Sequence, residues 1–257
     1  MLLISTVFGA SAAGDITVDG VDYTLDVDGA YVDGAYVESC AGSRGYSGDL
    51  VIPTSVFGYG KDYPVVGLGS WAFGNCYDLT SVTLPNTLVK IKRDAFYYCT
   101  GLTSIEIPNS VKTIGDGVFR CCSNLTTIYF GESLTEIGAN VFGANLSYEV
   151  CSKLTDIYCA ATTPPALGEN AFTSTMCSVI TLYVPSGCVD AYKESQWGDI
   201  VNIVEYDFAG VDNVGTIVAN AEVVGYYNLQ GVMSAEPWDG FNIVKYSDGT
   251  SSKLMHK

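Results

Sequence analysis

The chain has 257 residues, 48% of them hydrophobic and only 16% charged. That balance excludes a disordered chain and leaves room for one or two domains with a substantial core. A formal charge of −16 and a pI near 4.1 exclude nucleic-acid binding and set the chain against anionic membrane surfaces, because like charges repel.

At the start, Leu2 to Phe8 form a short apolar run followed by Gly9, Ala10, Ser11, Ala12 and Ala13. Ala10 and Ala12 make the A-x-A pattern of a secretory cleavage site, so residues 1–13 read as signal-peptide-like. The run is too short to span a bilayer, and nothing else approaches eighteen apolar residues. Residues 14–64 then read as an irregular β cap. Ile16-Thr17-Val18 and Tyr23-Thr24-Leu25 are strand-like, and Asp-Gly pairs beginning at Asp19, Asp28 and Asp33 mark hairpin turns. Asp26, Asp28, Asp33 and Glu38 miss the spacing of a calcium loop, so turns explain them and no metal is expected.

The next segment is periodic. Phe73, Phe96, Phe119 and Phe142 stand 23 residues apart, and Leu68, Ile91, Ile114 and Ile137 keep the same step. So do Leu79, Leu102 and Leu125, then Val82, Ile105 and Ile128. This step with an L-x-x-L-x-L core is the signature of a leucine-rich-repeat solenoid. One unit cannot bury its own apolar face, so neighbours must stack and share a core. The expected fold is a β-rich α/β solenoid over residues 65–200, right-handed, with about five 23-residue coils and parallel strands. Each coil is expected to carry its aromatic on a one- or two-turn helix and to end a strand at Pro85, Pro108 or an equivalent. Leu50-Val51-Ile52-Pro53 matches the end of such a unit and belongs to the cap.

Cys76, Cys99 and Cys122 follow the same step, and Cys151 keeps the offset to Leu154 that Cys122 keeps to Leu125. They read as a column of inert interior thiols, although strands about 4.8 Å apart do not forbid a bridge. Cys40, Cys121, Cys159, Cys177 and Cys188 stand outside it. The fourth unit is stretched between Phe142 and Leu154, and an insertion of this kind is either a binding loop or neutral. A looser fifth unit holds Pro164-Pro165, Ala171-Phe172 and Leu182 to Pro185, and Val189 to Trp197 has the spacing of a capping helix. Residues 201–257 form a small β tail with strand-like Tyr226 to Leu229 and Phe241 to Val244, and a turn at Ser247-Asp248-Gly249.

The unit Ile114-Gly115-x-x-x-Phe119-x-x-Cys122-x-x-Leu125-Thr126-x-Ile128 resembles the BspA-like leucine-rich-repeat family of bacterial surface proteins, over roughly residues 50–200. The tail, through Tyr226 to Val232 and Ile243 to Thr250, is similar to a short C-terminal sorting module of type IX secretion. The resemblance implies a secreted, cell-surface or outer-membrane-associated protein and a family that includes adhesins for host or neighbouring-cell ligands.

Catalysis is not expected. The single histidine, His256, is the penultimate residue, where a frayed end holds no imidazole in place. No C-x-x-C pair and no phosphate loop occur, so neither metal nor cofactor is expected. The candidate site is the outward face of the L-x-x-L-x-L strand: Thr83, Glu106, Thr127, Tyr129, Asp156, Tyr158, Thr181 and Tyr183. Stacked tyrosines bury large area at small entropic loss, which suits protein partners, and their faces suit sugar rings. They would equally serve as cross-strand stabilisers of an exposed sheet. The expected function is binding of host or bacterial surface proteins. A glycan-binding accessory role through the exposed tyrosines, or a structural envelope role, is the alternative.

Overall fold

The computed structural model describes residues 15–26, 29–32, 45–143, 151–208, 223–227, 233–234, 240–246 and 251–256. The segments read as a leader, as the insertion between Gly143 and Cys151 and as the Asp28 and Asp33 turns lie outside the described residues, as does Cys40. Two compact units are present, 1–205 and 206–257.

The first unit is a β-rich solenoid. Apolar residues at the 23-residue step fall into exact register because each coil lies parallel on the last. On one side, Leu68 pairs with Ile91, Ile91 with Ile114, Ile114 with Ile137 and Ile137 with Leu167. Each of these strands after the first is two residues long, as in Lys90–Ile91 and Thr113–Ile114. On a second side, Ser104–Ile107, Thr127–Phe130, Asp156–Cys159, Thr181–Pro185 and Asn202–Tyr206 form a five-stranded sheet. The last of these lies beyond the periodic sequence and still adds a strand. Ser104–Ile107 stops at Pro108, which has no N–H to continue the ladder.

The third side differs from expectation. No helix carries the aromatics of the regular coils. Backbone N–H groups of Trp71, Phe73 and Asn75 donate to the carbonyls of Arg93, Ala95 and Tyr97 in the next coil, at 3.1, 2.7 and 2.8 Å. Asp94, Phe96 and Tyr98 do the same toward Asp116, Val118 and Arg120. Donors spent between coils cannot make the i to i−4 bonds of a helix. Two columns of left-handed residues bend the chain there: Trp71, Asp94, Gly117 and Asn140 (φ 62°, 54°, 64° and 52°), and Asn75, Tyr98 and Cys121 (φ 62°, 60° and 65°). Among the described residues, short helices occur only toward the end of the coil array, at Ser174–Val179 and Val189–Lys193, with a 3-10 turn at Gln196–Asp199.

The core is a stack of rings. Phe73, Phe96, Phe119, Phe142 and Phe172 follow one another at centroid distances of 5.1, 5.7, 5.9 and 5.2 Å, nearly parallel throughout. Tyr46 closes the stack edge-on at one end, and Trp197 tilts against Phe172 at the other. Each such contact contributes about 0.5–1.5 kcal/mol beyond its buried area. The closing residues are tied down by buried hydrogen bonds: Trp197 Nε1 donates to Pro165 O at 2.8 Å and Tyr192 OH to Ala161 O at 2.7 Å. Beside the rings, Cys99 Sγ donates to Phe73 O, Cys122 Sγ to Phe96 O and Cys151 Sγ to Phe119 O, at 3.1, 3.0 and 2.8 Å. All described cysteines are free thiols.

The N-terminal cap begins with the hairpin Asp15–Val18 and Val21–Asp26, turned through Asp19 and Gly20 at φ 51° and 80°, the backbone that an Asp-Gly turn favours. Gly48–Val51 pairs parallel with Leu79–Thr83, placing Leu50 opposite Val82 as the repeat match required. Asp49 accepts from Thr80 and Ser81 at 3.0 and 2.7 Å, fastening the cap to the first coil.

The second unit is a four-stranded antiparallel sheet in which Val223–Tyr227 lies between Met233–Ser234 and Gly240–Tyr246, with Ser251–His256 outermost. His256 pairs with Gly240, so the expected fraying stops short of it. The backbone of the penultimate residue is held by the ladder.

Candidate functional site

Strand register brings the expected column together. Glu106 lies opposite Tyr129, Tyr129 opposite Tyr158, and Tyr158 opposite Tyr183. In the neighbouring row, Thr127 lies between Ser104 and Asp156, and Asp156 opposite Thr181. The rings stack: Tyr129 and Tyr158 at 5.6 Å and 12°, Tyr158 and Tyr183 at 4.2 Å and 5°. Tyr183 OH donates to Asp156 Oδ1 at 3.2 Å. Burial first, then the Asp156 carboxylate, raises the Tyr183 phenol above its ordinary value. It therefore stays a neutral donor throughout the physiological range.

The expectation of an exposed tyrosine strip is corrected. Tyr129 and Tyr158 are only 3% and 2% exposed, and Tyr183 is half-buried. Face-to-face stacking is the physical reason: Tyr158 loses one ring face to Tyr129 and the other to Tyr183. Alternation along a strand put these side chains on the outer face; alternation says nothing about what covers them. A sugar platform built on all three rings is therefore not what the sheet offers. The accessible members are Thr83, which is exposed, and the half-buried Glu106, Thr127, Asp156, Thr181 and Tyr183.

A second constellation went unread in the sequence. On the turn side, the Trp71 and Tyr97 rings meet edge-to-face at 4.8 Å, and the Arg120 guanidinium lies 4.8 Å from the Tyr97 centroid. Tyr98 contacts both Tyr97 and Tyr77, at 5.3 and 5.7 Å. Beneath them Asp94 is the one buried charged side chain among the described residues, 1% exposed. It accepts from Arg93 Nε at 2.9 Å and stands 4.0 Å from Arg120. Burial pushes its carboxyl above the ordinary value against the pull of both arginines. The available signal was the 23-residue step itself, which links Gly74, Tyr97 and Arg120 in one column. Aligning apolar positions alone passes over it.

Among the described residues no group of three or more His, Cys, Asp or Glu side chains is placed to hold a metal. No helix there is long and apolar enough to cross a membrane.

Comparison with known proteins bears on the repeat segment. Residues 63–157 match, in six copies, the family described as BspA type leucine rich repeat region. The curated proteins contain no match. Among solved structures the chain is similar to a leucine-rich repeat protein from Bacteroides capillosus, at 26% identity over 58% of this chain and 100% of that one, with a TM-score of 0.46. It is similar to a leucine rich cell surface protein from Faecalibacterium prausnitzii at 21% identity, over 94% of this chain and 61% of that one, TM-score 0.46. The pneumococcal vaccine antigen PcpA matches at 19% identity over 70% of this chain and 52% of that one, TM-score 0.46. The chain thus spans less than two thirds of each of the last two proteins. Its residues 63–157 are similar to BspA-type leucine-rich repeats, and the coil-on-coil register of Leu68, Ile91, Ile114 and Ile137 is the physical form of that similarity.

Proposed function

We propose that this protein is an exported, cell-surface binding protein whose repeat array recognises host or neighbouring-cell surface proteins through its sheet. The observation that carries the reading is a set of polar side chains on the face of the sheet over a continuous core: Glu106 opposite Tyr129, the row Thr127, Asp156 and Thr181 beside it in register, and Thr83 one coil earlier on Leu79–Thr83, paired with Val51. A rigid scaffold presents such a row without ordering it anew on binding, which lowers the entropic cost of association. The repeat match over residues 63–157 supports a protein-binding scaffold and not a catalyst. The tail, as a short sorting module, would direct export.

The test is a binding screen of the full chain against immobilised matrix proteins and bacterial surface proteins, repeated with Thr83→Arg/Glu106→Arg. Steric and charge conflict on the first two coils of this face should weaken the best interaction roughly 30-fold, the size of a hot-spot loss. Undiminished binding by the double variant removes the sheet as the site.

A further inference from the structure

We propose that the turn side of the solenoid is a separate binding site for an anionic sugar chain of the hexuronic-acid class, held on an aromatic–arginine strip from Trp71 to Arg120. Trp71 stands at φ 62° in a column otherwise filled by Asp94, Gly117 and Asn140. Left-handed backbone favours Gly, Asn and Asp, and a bulky residue there is a genuine outlier. The structure shows what that placement achieves. A Cβ on Gly74 would come within 2.8 Å of Trp71 Cε3, so the indole lies over Gly74. The ring thereby enters the row that Tyr97 and Arg120 continue in the next two coils. Indole, phenol and guanidinium then run along three coils with 4.8 Å between successive members. Tyr98, also left-handed at φ 60°, carries the strip sideways to Tyr77, which is 46% exposed.

Charge selects the ligand. Asp94 is buried beneath the strip between the guanidiniums of Arg93 and Arg120. The Arg93 side chain remains 66% exposed. At the strip itself the basic groups are Arg93 and Arg120.

The backbone selects further. Alternate N–H groups of this side already donate to the next coil, so an extended peptide finds no strand edge to pair with. Recognition falls to side chains. Aromatic faces pack against the C–H faces of pyranose rings, and a planar guanidinium grips a carboxylate at two points. Rings alternating with carboxylates along a chain are the chemistry of a polyuronate. The site shares no residue with the sheet and does not depend on it.

The experiment measures binding of the full chain to polygalacturonate, with amylose as a neutral sugar chain and polyglutamate as an acidic peptide. Two variants accompany it. Arg93→Gln changes a largely exposed side chain. Trp71→Asn relieves the left-handed strain while removing the indole, so its thermal midpoint should equal or exceed that of the parent. The proposal expects binding to polygalacturonate alone, weakened by salt, and roughly tenfold weaker in each variant, the size of one charge-assisted contact. It is overturned by no binding to polygalacturonate, by equal binding to polyglutamate, or by variants that bind as the parent does.

Discussion

The interior cysteines illustrate how one residue type meets several demands at a single repeat position. Each column thiol fills a small apolar space; Cys99, Cys122 and Cys151 donate to the carbonyl of the phenylalanine one coil back, and Cys76 bonds to the backbone of Tyr46. Burial pushes the thiols up, Cys76 to about 11 and Cys122 to about 12, and holds Cys99 and Cys151 well above the ordinary thiol value. Thiolate is the reactive form. Alkylation of the native chain at pH 8 should therefore spare all four, label half-buried Cys188 first among the described cysteines, and reach the column only after denaturation. Mass spectrometry finding a column cysteine labelled early, or in a disulfide, would contradict this. Gly117 meets a different demand: beyond its φ of 64°, a Cβ there would collide with Asp94 Oδ1. Gly117→Asn keeps a residue tolerant of that backbone yet displaces the buried carboxylate. It should lower stability by about 1–3 kcal/mol in urea unfolding; a neutral result would mean that Asp94 needs no such gap.

At the scale of elements, the ring stack is the feature most exposed to a single substitution. Phe96 touches a ring on both sides, so Phe96→Ala should cost about 3–5 kcal/mol, read from the shift in denaturant midpoint. An unchanged midpoint would place the ring outside the shared core. Phe96 also shows why much of this fold was legible: identical apolar residues at one step have a single way to be buried together, and strand register follows from it. The helix expected around Trp71, Asp94 and Gly117 was a different kind of inference. It rested on local pattern, and the backbone donors there were claimed by the next coil instead. The tyrosine column was legible in register and misread in exposure, since strand alternation assigns a face but not its cover. The Trp71–Tyr97–Arg120 strip escaped because its members differ in type from coil to coil, and only the position repeats. The capping helix near Trp197 was legible from spacing, with the chain breaking into a helix and a 3-10 turn.

For the molecule as a whole, every surface row takes its place from one claim: the 23-residue period is a stack of coils sharing a continuous core. Repeat arrays gain stability from each interface between neighbours, so inner coils open at higher free energy than terminal ones. Sequence period, ring stack, thiol column and three hydrogen-bonded sides all make the same statement about residues 65–203. Native-state amide hydrogen exchange on the full chain tests it most directly. Protection should run without a gap from Val65 to Ile203 outside the insertion, peak between Phe96 and Phe119, and include the amides of Trp71, Phe73 and Asn75 that donate between coils. Separate protected islands with rapidly exchanging amides at those three residues would contradict the stack.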